Sequence, residues 1–227
     1  EELARAGAPL ALLSPPGVDA LAWVATWHLA SPRRGTSLVV VDGQRAELAD
    51  LELWRDEARS PLARARGRTL VLFDPQALPR LVQAYVAASL DERVQAAVVV
   101  PKTIDVLVAS DLLDEGLADA LGDRTVAIPP LSERAEDLRA LALDHLSRIG
   151  ARLGRGPLGL DARAMAMLAE HAWTGNDVEL EAVLLRAAVE AEGDTVGAAD
   201  LERAGLSRPR ASELGGKSAG RAAKARA

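Results

Sequence analysis

The strongest constraint on this chain is a set of five short aliphatic runs that are continuous instead of alternating. They fall at residues 10–13, 37–41, 69–73, 96–100 and 125–128, and Leu38-Val-Val-Val and Ala97-Val-Val-Val are the purest. A strand with one wet face alternates apolar and polar residues. A strand buried on both faces does not, which is the habit of parallel sheets. Helical patterns separate the runs, at 19–29, 46–57, 78–90 and 112–121. Strand and helix in turn predict an α/β domain, a five-stranded parallel sheet layered with helices and joined by right-handed crossovers.

After Pro129-Pro130 the strand-like runs stop and helical patterns continue, at 133–149, 161–172, 178–191 and 198–204. In the third of these, Val178, Leu180, Val183, Leu184 and Ala187 read as one apolar stripe. The expected organisation is therefore an α/β unit over 1–130, a small all-helical unit over 131–204 and a tail over 205–227. That tail is rich in Gly, Ala, Ser and Arg without periodicity, the composition of a disordered segment.

Composition narrows the chemistry. The 227 residues are 49% hydrophobic but only 3% aromatic, so the core must be aliphatic. There is no cysteine, which excludes disulfides and thiolate metal sites. Net charge is -6, yet Arg208, Arg210, Lys217, Arg221, Lys224 and Arg226 face a single acid, Glu213, in the tail. No apolar run reaches the about 18 residues that cross a bilayer, and no signal peptide pattern is present. The reading begins with Glu, as an excerpt of a longer protein would, and the expected location is cytoplasmic.

Several short motifs resemble one family. Pro129 to Leu138 (P-P-L-S-E-R-A-E-D-L) is similar to the P-P-L-R-E-R-x-E-D-I of the AAA+ central domains of bacterial enhancer-binding proteins, the NtrC-like activators of sigma-54 RNA polymerase. Trp173 to Ala182 looks like that family's W-P-G-N-V-R-E-L-x-N, and Glu192-Gly193-Asp194 like its acidic E-G-D. Upstream, His28 to Arg33 resembles H-x-x-S-x-R, and Leu78, Pro79 and Gln83 match L-P-x-x-x-Q. The resemblance runs from Leu10 to Leu201 in consistent order. It implies a P-loop-type sheet followed by a helical lid.

The same resemblance locates the chemistry, and the residues there are wrong for it. Phosphoryl transfer needs a backbone cradle, a lysine and a metal held by an acid. The family's G-E-x-G-T-G-K falls on Ser14 to Ala20, where only Gly17 survives and Ala20 stands in place of lysine. Pro15 and Pro16 each remove a backbone N–H that would face phosphate. Asp19 lies where the helix N-terminus should receive the anion, and a helix cap is its expected role. The metal-binding acid falls on Phe73 and the water-activating glutamate on Asp74. Shifting by one gives Asp74 the metal role and puts Pro75 at the catalytic position. The sensor after the fourth strand falls on Pro101, the two arginine fingers on Asp114 and Ala120, and the later sensor arginine on Val178. One finger arginine is worth about 10³–10⁵ in rate. The polymerase-contacting G-A-F-T-G-A loop should follow Glu52-Leu53-Trp54, but Leu62, Ala65 and Gly67 already match the segment beyond it.

Other features carry less. His28, His145 and His171 lack metal-ligand spacing and read as packing or surface residues. No serine-hydrolase motif occurs. Trp173 reads as a core anchor between lid and sheet, and Trp23 and Trp27 as core residues of one helix. The expected function is a catalytically inactive AAA+ domain serving as a regulatory or protein-interaction module, a monomer or weak dimer with an unidentified protein partner. No cofactor or metal is expected, with ATP and Mg²⁺ retained only if the degenerate site still binds. The alternatives are residual hydrolysis through Asp74 with a partner's arginine, and nucleic-acid binding through the basic tail.

Overall fold

A computed structural model describes residues 9–90 and 94–206. The chain divides into two compact units, Glu1–Pro129 and Pro130–Ala227. Strands β1 (Leu10–Leu13), β2 (Leu38–Asp42), β3 (Thr69–Phe73), β4 (Gln95–Val100) and β5 (Thr125–Ala127) build the first unit's sheet. All neighbours are parallel, in the order β2-β3-β4-β1-β5.

The period-2 geometry of a strand splits each continuous run between two cores. Ala11, Leu70, Leu72, Val98 and Val100 belong to one cluster, with Trp54, Leu62, Val82, Leu107 and Leu117. Leu10, Leu12, Val71, Ala97 and Val99 belong to the other, with Ala20 and Val24. The first face is covered by helices α2 (Leu51–Arg55), α3 (Pro61–Ala65), α4 (Arg80–Ser89), α5 (Ile104–Ala109) and α6 (Glu115–Leu121), the second by α1 (Ala20–Leu29). Trp23 and Trp27 are partly buried against that second cluster. Every residue of β4 is buried, as expected of a central strand, but at the edges β2 alternates and β5 is exposed throughout. Edge strands lack a neighbour's covering helices, so a continuous apolar run there does not guarantee burial.

Local chemistry moved several helix bounds. The pattern at 46–57 breaks at Asp50, whose carboxylate accepts from the N–H of Glu52 at 3.0 Å and caps α2. A 3₁₀ turn, Ala46–Ala49, precedes it. Leu78 is extended ahead of Pro79, so α4 starts later than the apolar pattern. Asp114 caps α6 with its side chain. The short helices α3 and α5 were not anticipated; Ser60 caps the first, with Pro61 at its first position.

In the second unit, α7 (Leu138–Arg152), α8 (Ala162–Glu170), α9 (Asn176–Glu190) and α10 (Ala198–Arg203) share one core. A small parallel pair, β6 (Gly159–Leu160) and β7 (Thr195–Val196), adds an element not expected from the sequence. Leu180, Val183, Leu184 and Ala187 are buried as predicted, but Val178 is 64% exposed. Two residues is about 200° of helix, so Val178 sits opposite Leu180 rather than in its stripe. Gly205 and Leu206, read with the tail, close this unit instead: the N–H of Leu206 bonds the Leu201 carbonyl at 2.9 Å, and its side chain is buried. The basic segment 207–227 lies outside the described residues.

Candidate nucleotide site

Strands β1 and β3 flank β4, and both lead into loops at the same end of the sheet. The N–H of Ser14 bonds the Val100 carbonyl at 2.9 Å, and that of Asp74 bonds Val99 at 3.0 Å. At about 4.8 Å per strand spacing, the two loops lie roughly 10 Å apart. Ser14, Gly17, Asp19, Ala20 and Asp74 are thus gathered at one sheet edge, where a P-loop fold keeps its ligand.

The first loop is built around its prolines. Gly17 has φ 79°, and the N–H of Val18 bonds the Pro15 carbonyl at 3.2 Å. A proline followed by a glycine of positive φ is the pattern of a type II turn. Pro15 and Pro16 have no N–H, while those of Ser14, Val18 and Ala20 already bond Val100, Pro15 and Val18. A phosphate cradle needs successive N–H groups turned into one concavity. Asp19 caps α1, accepting from the N–H of Ala22 at 3.1 Å. Its carboxylate occupies the positive end of the helix and repels a phosphate there. Ala20 is 3% exposed, inside the core cluster of Leu12 and Val24.

Asp74 is held as firmly. It has φ 49° and ψ 51°, left-handed backbone that a non-glycine residue enters at a cost. The amide of Gln44 donates to Oδ2 at 2.7 Å and that of Gln76 to Oδ1 at 2.7 Å. Gly43 lets the chains approach, since a Cβ there would lie 2.4 Å from the Asp74 carbonyl oxygen. Gln44 and Gln76 were not singled out from the sequence. The only signal was their place beside the Asp42-Gly43 turn and the strand end.

The other positions that the resemblance singles out, Pro101, Asp114 and Ala120, have local structural surroundings. Pro101 is exposed beyond β4. Asp114 caps α6, lies 3.7 Å from Arg80, and donates its N–H to Gln83 Oε1 at 2.8 Å. Ala120 offers its carbonyl to Arg124 at 3.1 Å, and Arg124 also binds the Pro9 carbonyl at 3.0 Å, before β1. That puts Arg124 at the sheet edge opposite the Ser14–Asp19 loop. A tight turn joins α2 to α3. Asp56 accepts from the N–H groups of Ala58 and Arg59 at 2.9 Å and from Arg59 Nε at 2.6 Å. The backbone N–H of Ala58, then Arg59, hold its pKa down at about 2.

The motif residues that survive have structural work. His28 is buried between the Thr69 hydroxyl, 2.8 Å away, and the Thr36 carbonyl, 3.0 Å away. Arg33 holds the Arg68 carbonyl at 2.6 Å. Gln83 donates to the carbonyls of Leu78 and Leu112, joining α4 to the approach to α6. Arg134 pairs with Asp177 at 3.2 Å, their side chains 8% and 7% exposed. Asn176, with φ 53°, accepts from the Leu131 N–H at 2.8 Å. Trp173 is buried in the helical unit's own core and donates to the Leu168 carbonyl at 2.8 Å. His145 is buried on α7; desolvation first, then Arg148, holds its imidazole below the usual range. His171 lies 3.6 Å from Glu179 and tilts against Trp173. Among the described residues no group of His, Asp and Glu could hold a metal ion, and no helix is long and apolar enough to cross a membrane.

A parallel β2-β3-β4-β1-β5 sheet followed by a helical unit defines the AAA+ class of P-loop folds. Residues 132–215 match the AAA+ ATPase lid domain. The sigma-54-dependent transcriptional activator SfnR of Pseudomonas putida is 31% identical over 63% of this chain and 43% of its own length. The nitric oxide reductase transcription regulator NorR1 of Cupriavidus necator is 31% identical over 83% of this chain and 42% of its own. The chain therefore spans less than half the length of these curated relatives. Among solved structures, NtrX of Brucella abortus in complex with ATP superposes with a TM-score of 0.78 at 23% identity, over 92% of this chain and 52% of that one. The chain thus has the AAA+ fold with its helical lid and resembles sigma-54-dependent transcriptional activators.

Proposed function

We propose that this chain is a AAA+ domain that no longer turns over nucleotide and serves as a regulatory or protein-interaction module in transcriptional or signalling control. The observation that carries the reading is the Ser14–Ala20 loop. It has no lysine, two prolines, three N–H groups already donated within the protein, and a carboxylate on the helix end. ATP with Mg²⁺ does not fit this donor set. Asp74 supports the same reading, because both its oxygens already accept amide hydrogens. A partner's arginine would have to act on a site with neither lysine nor second acid.

Family rings are joined by nucleotide at subunit boundaries, so a chain that binds none is a monomer or weak dimer. The Asp56 turn replaces the family's polymerase loop, which argues against sigma-54 remodelling by the usual route. Nucleic-acid binding through 207–227 is the weaker alternative; deletion of that segment would abolish DNA retention at low salt if it were right. Titration calorimetry with ATP and ADP, each with Mg²⁺, tests the main reading. No heat of binding is expected, and a micromolar Kd would overturn it.

A further inference from the structure

His145 is a buried titratable group that the nucleotide site does not use. It sits on α7, 6% exposed, beside Leu146 and Ile149, which enter the core of the helical unit. Its Nδ1 lies 3.2 Å from Nη2 of Arg148, one turn further along the same helix. A guanidinium only donates, so Nδ1 is the acceptor and the neutral ring carries its proton on Nε2. Protonation would set an N–H against an N–H and one cation beside another. The contact between ring and guanidinium would be lost with it.

Three carboxylates act on the ring, and each already holds an arginine. On α7 itself, Asp144 pairs with Arg148 at 2.8 Å. From α9, Asp177 pairs with Arg134 at 3.2 Å and Glu181 with Arg152 at 3.6 Å. Asp177 would receive an imidazolium only by giving up Arg134, whose side chain is buried with it, and one buried charge would be stranded in place of another. Asp144 and Glu181 are exposed enough for water to weaken their pull. Helix α8 and strand β6 also pack on α7. The charges of α8, Arg163 and Glu170, are exposed and do not act on His145, and β6 has none. Desolvation first, then Arg148, therefore outweighs the carboxylates and keeps the imidazole below its ordinary 6.5.

From this cluster we propose that His145 is a proton-operated latch of the helical unit: the neutral ring keeps α7 seated on α9, and protonation opens that pair while the sheet of the first unit stays folded. The sign follows from linkage. The opened form takes up the proton first, so the latch is closed above pH 6.5 and loosens as pH falls below it. One proton allows at most about tenfold loss of protection per pH unit. Acid would thus uncover apolar surface of α7 and α9 that the closed unit hides. The latch does not depend on the nucleotide reading.

Amide exchange of the intact chain, corrected for intrinsic rates and followed by mass spectrometry between about pH 7 and 5, tests it. Peptides from α7 and α9 are expected to lose several-fold to about tenfold protection per pH unit below 6.5, while β3 and β4 peptides keep theirs. His145→Gln cannot take up a proton and should flatten that response. Arg148→Gln, at an exposed side chain, should shrink it without removing it, because desolvation remains. Nitrogen-15 spectra of the imidazole give a readout independent of stability, and they decide even where a variant fails to fold. They should show the Nε2–H tautomer at pH 7. Protection of α7 and α9 that ignores pH, a slope that survives in His145→Gln, parallel loss in the sheet, or an Nδ1–H ring at pH 7 would overturn the proposal. Calorimetry with ATP bears on the nucleotide reading alone, so the two can be lost one at a time.

Discussion

Removing Asp177 tests whether Arg134, which the family motif shares, has a structural role. Arg134 and Asp177 lie 3.2 Å apart with side chains 8% and 7% exposed. At an effective dielectric of about 20, their Coulomb attraction is of order 5 kcal/mol, most of it offset by desolvation. Deleting one partner takes from the other buried charge its opposite charge at 3.2 Å, a loss that typically costs about 3–5 kcal/mol. A domain is stable by only about 5–15 kcal/mol, so Asp177→Ala should remove a large share of the helical unit's stability. Arg134→Met should do the same. The double variant Arg134→Met/Asp177→Leu should recover most of the loss, because no buried charge remains. Native-state amide exchange of peptides from α7 and α9, followed by mass spectrometry, reads this unit apart from the sheet. Single losses below about 1 kcal/mol, the scale of an exposed pair, would refute the reasoning. So would a double variant whose cost equals the sum of the singles.

Three further outcomes follow from the geometry. Asp56 has a folded pKa of about 2 against an ordinary 3.8, so its contribution is complete above 3.8 and fades as pH falls from there towards 2. Asp56→Asn should flatten acid unfolding curves in that window. His145 is lowered from its ordinary 6.5, so the unfolded chain takes up the proton first and stability declines as pH falls below that value. His145→Gln should remove that slope in urea midpoints measured from pH 7 to 5. Gly43→Ala places a methyl 2.4 Å from the Asp74 carbonyl oxygen and must move backbone, at about 1–3 kcal/mol. Its thermal midpoint should drop, and exchange of the Asp74 amide should accelerate.

Residue types at local spacings determined most of the architecture. Continuous apolar runs announced a parallel sheet, and Leu10–Leu13 and Thr69–Phe73 appear with the predicted bounds. Asp19 is legible as a cap because capping involves only its own helix. Helix bounds at Asp50 and Asp114 were not, because a capping carboxylate and an apolar period compete and packing decides between them.

Only the tertiary structure decided what the remaining residues do. Gln44, in the turn after β2, reaches Asp74 across 30 residues, a contact no local pattern encodes, whereas Gln76 reaches it from only two residues away. Arg134 and Asp177 are 43 residues apart, as the hydrogen bond that joins them records, and each alone reads as a surface charge. Val40 sits in a run no different from those of the buried strands, yet lies half exposed because β2 falls at the edge of the strand order. Hydrophobic pattern is a property of sequence, whereas which strand lacks a neighbour is a property of the assembled sheet.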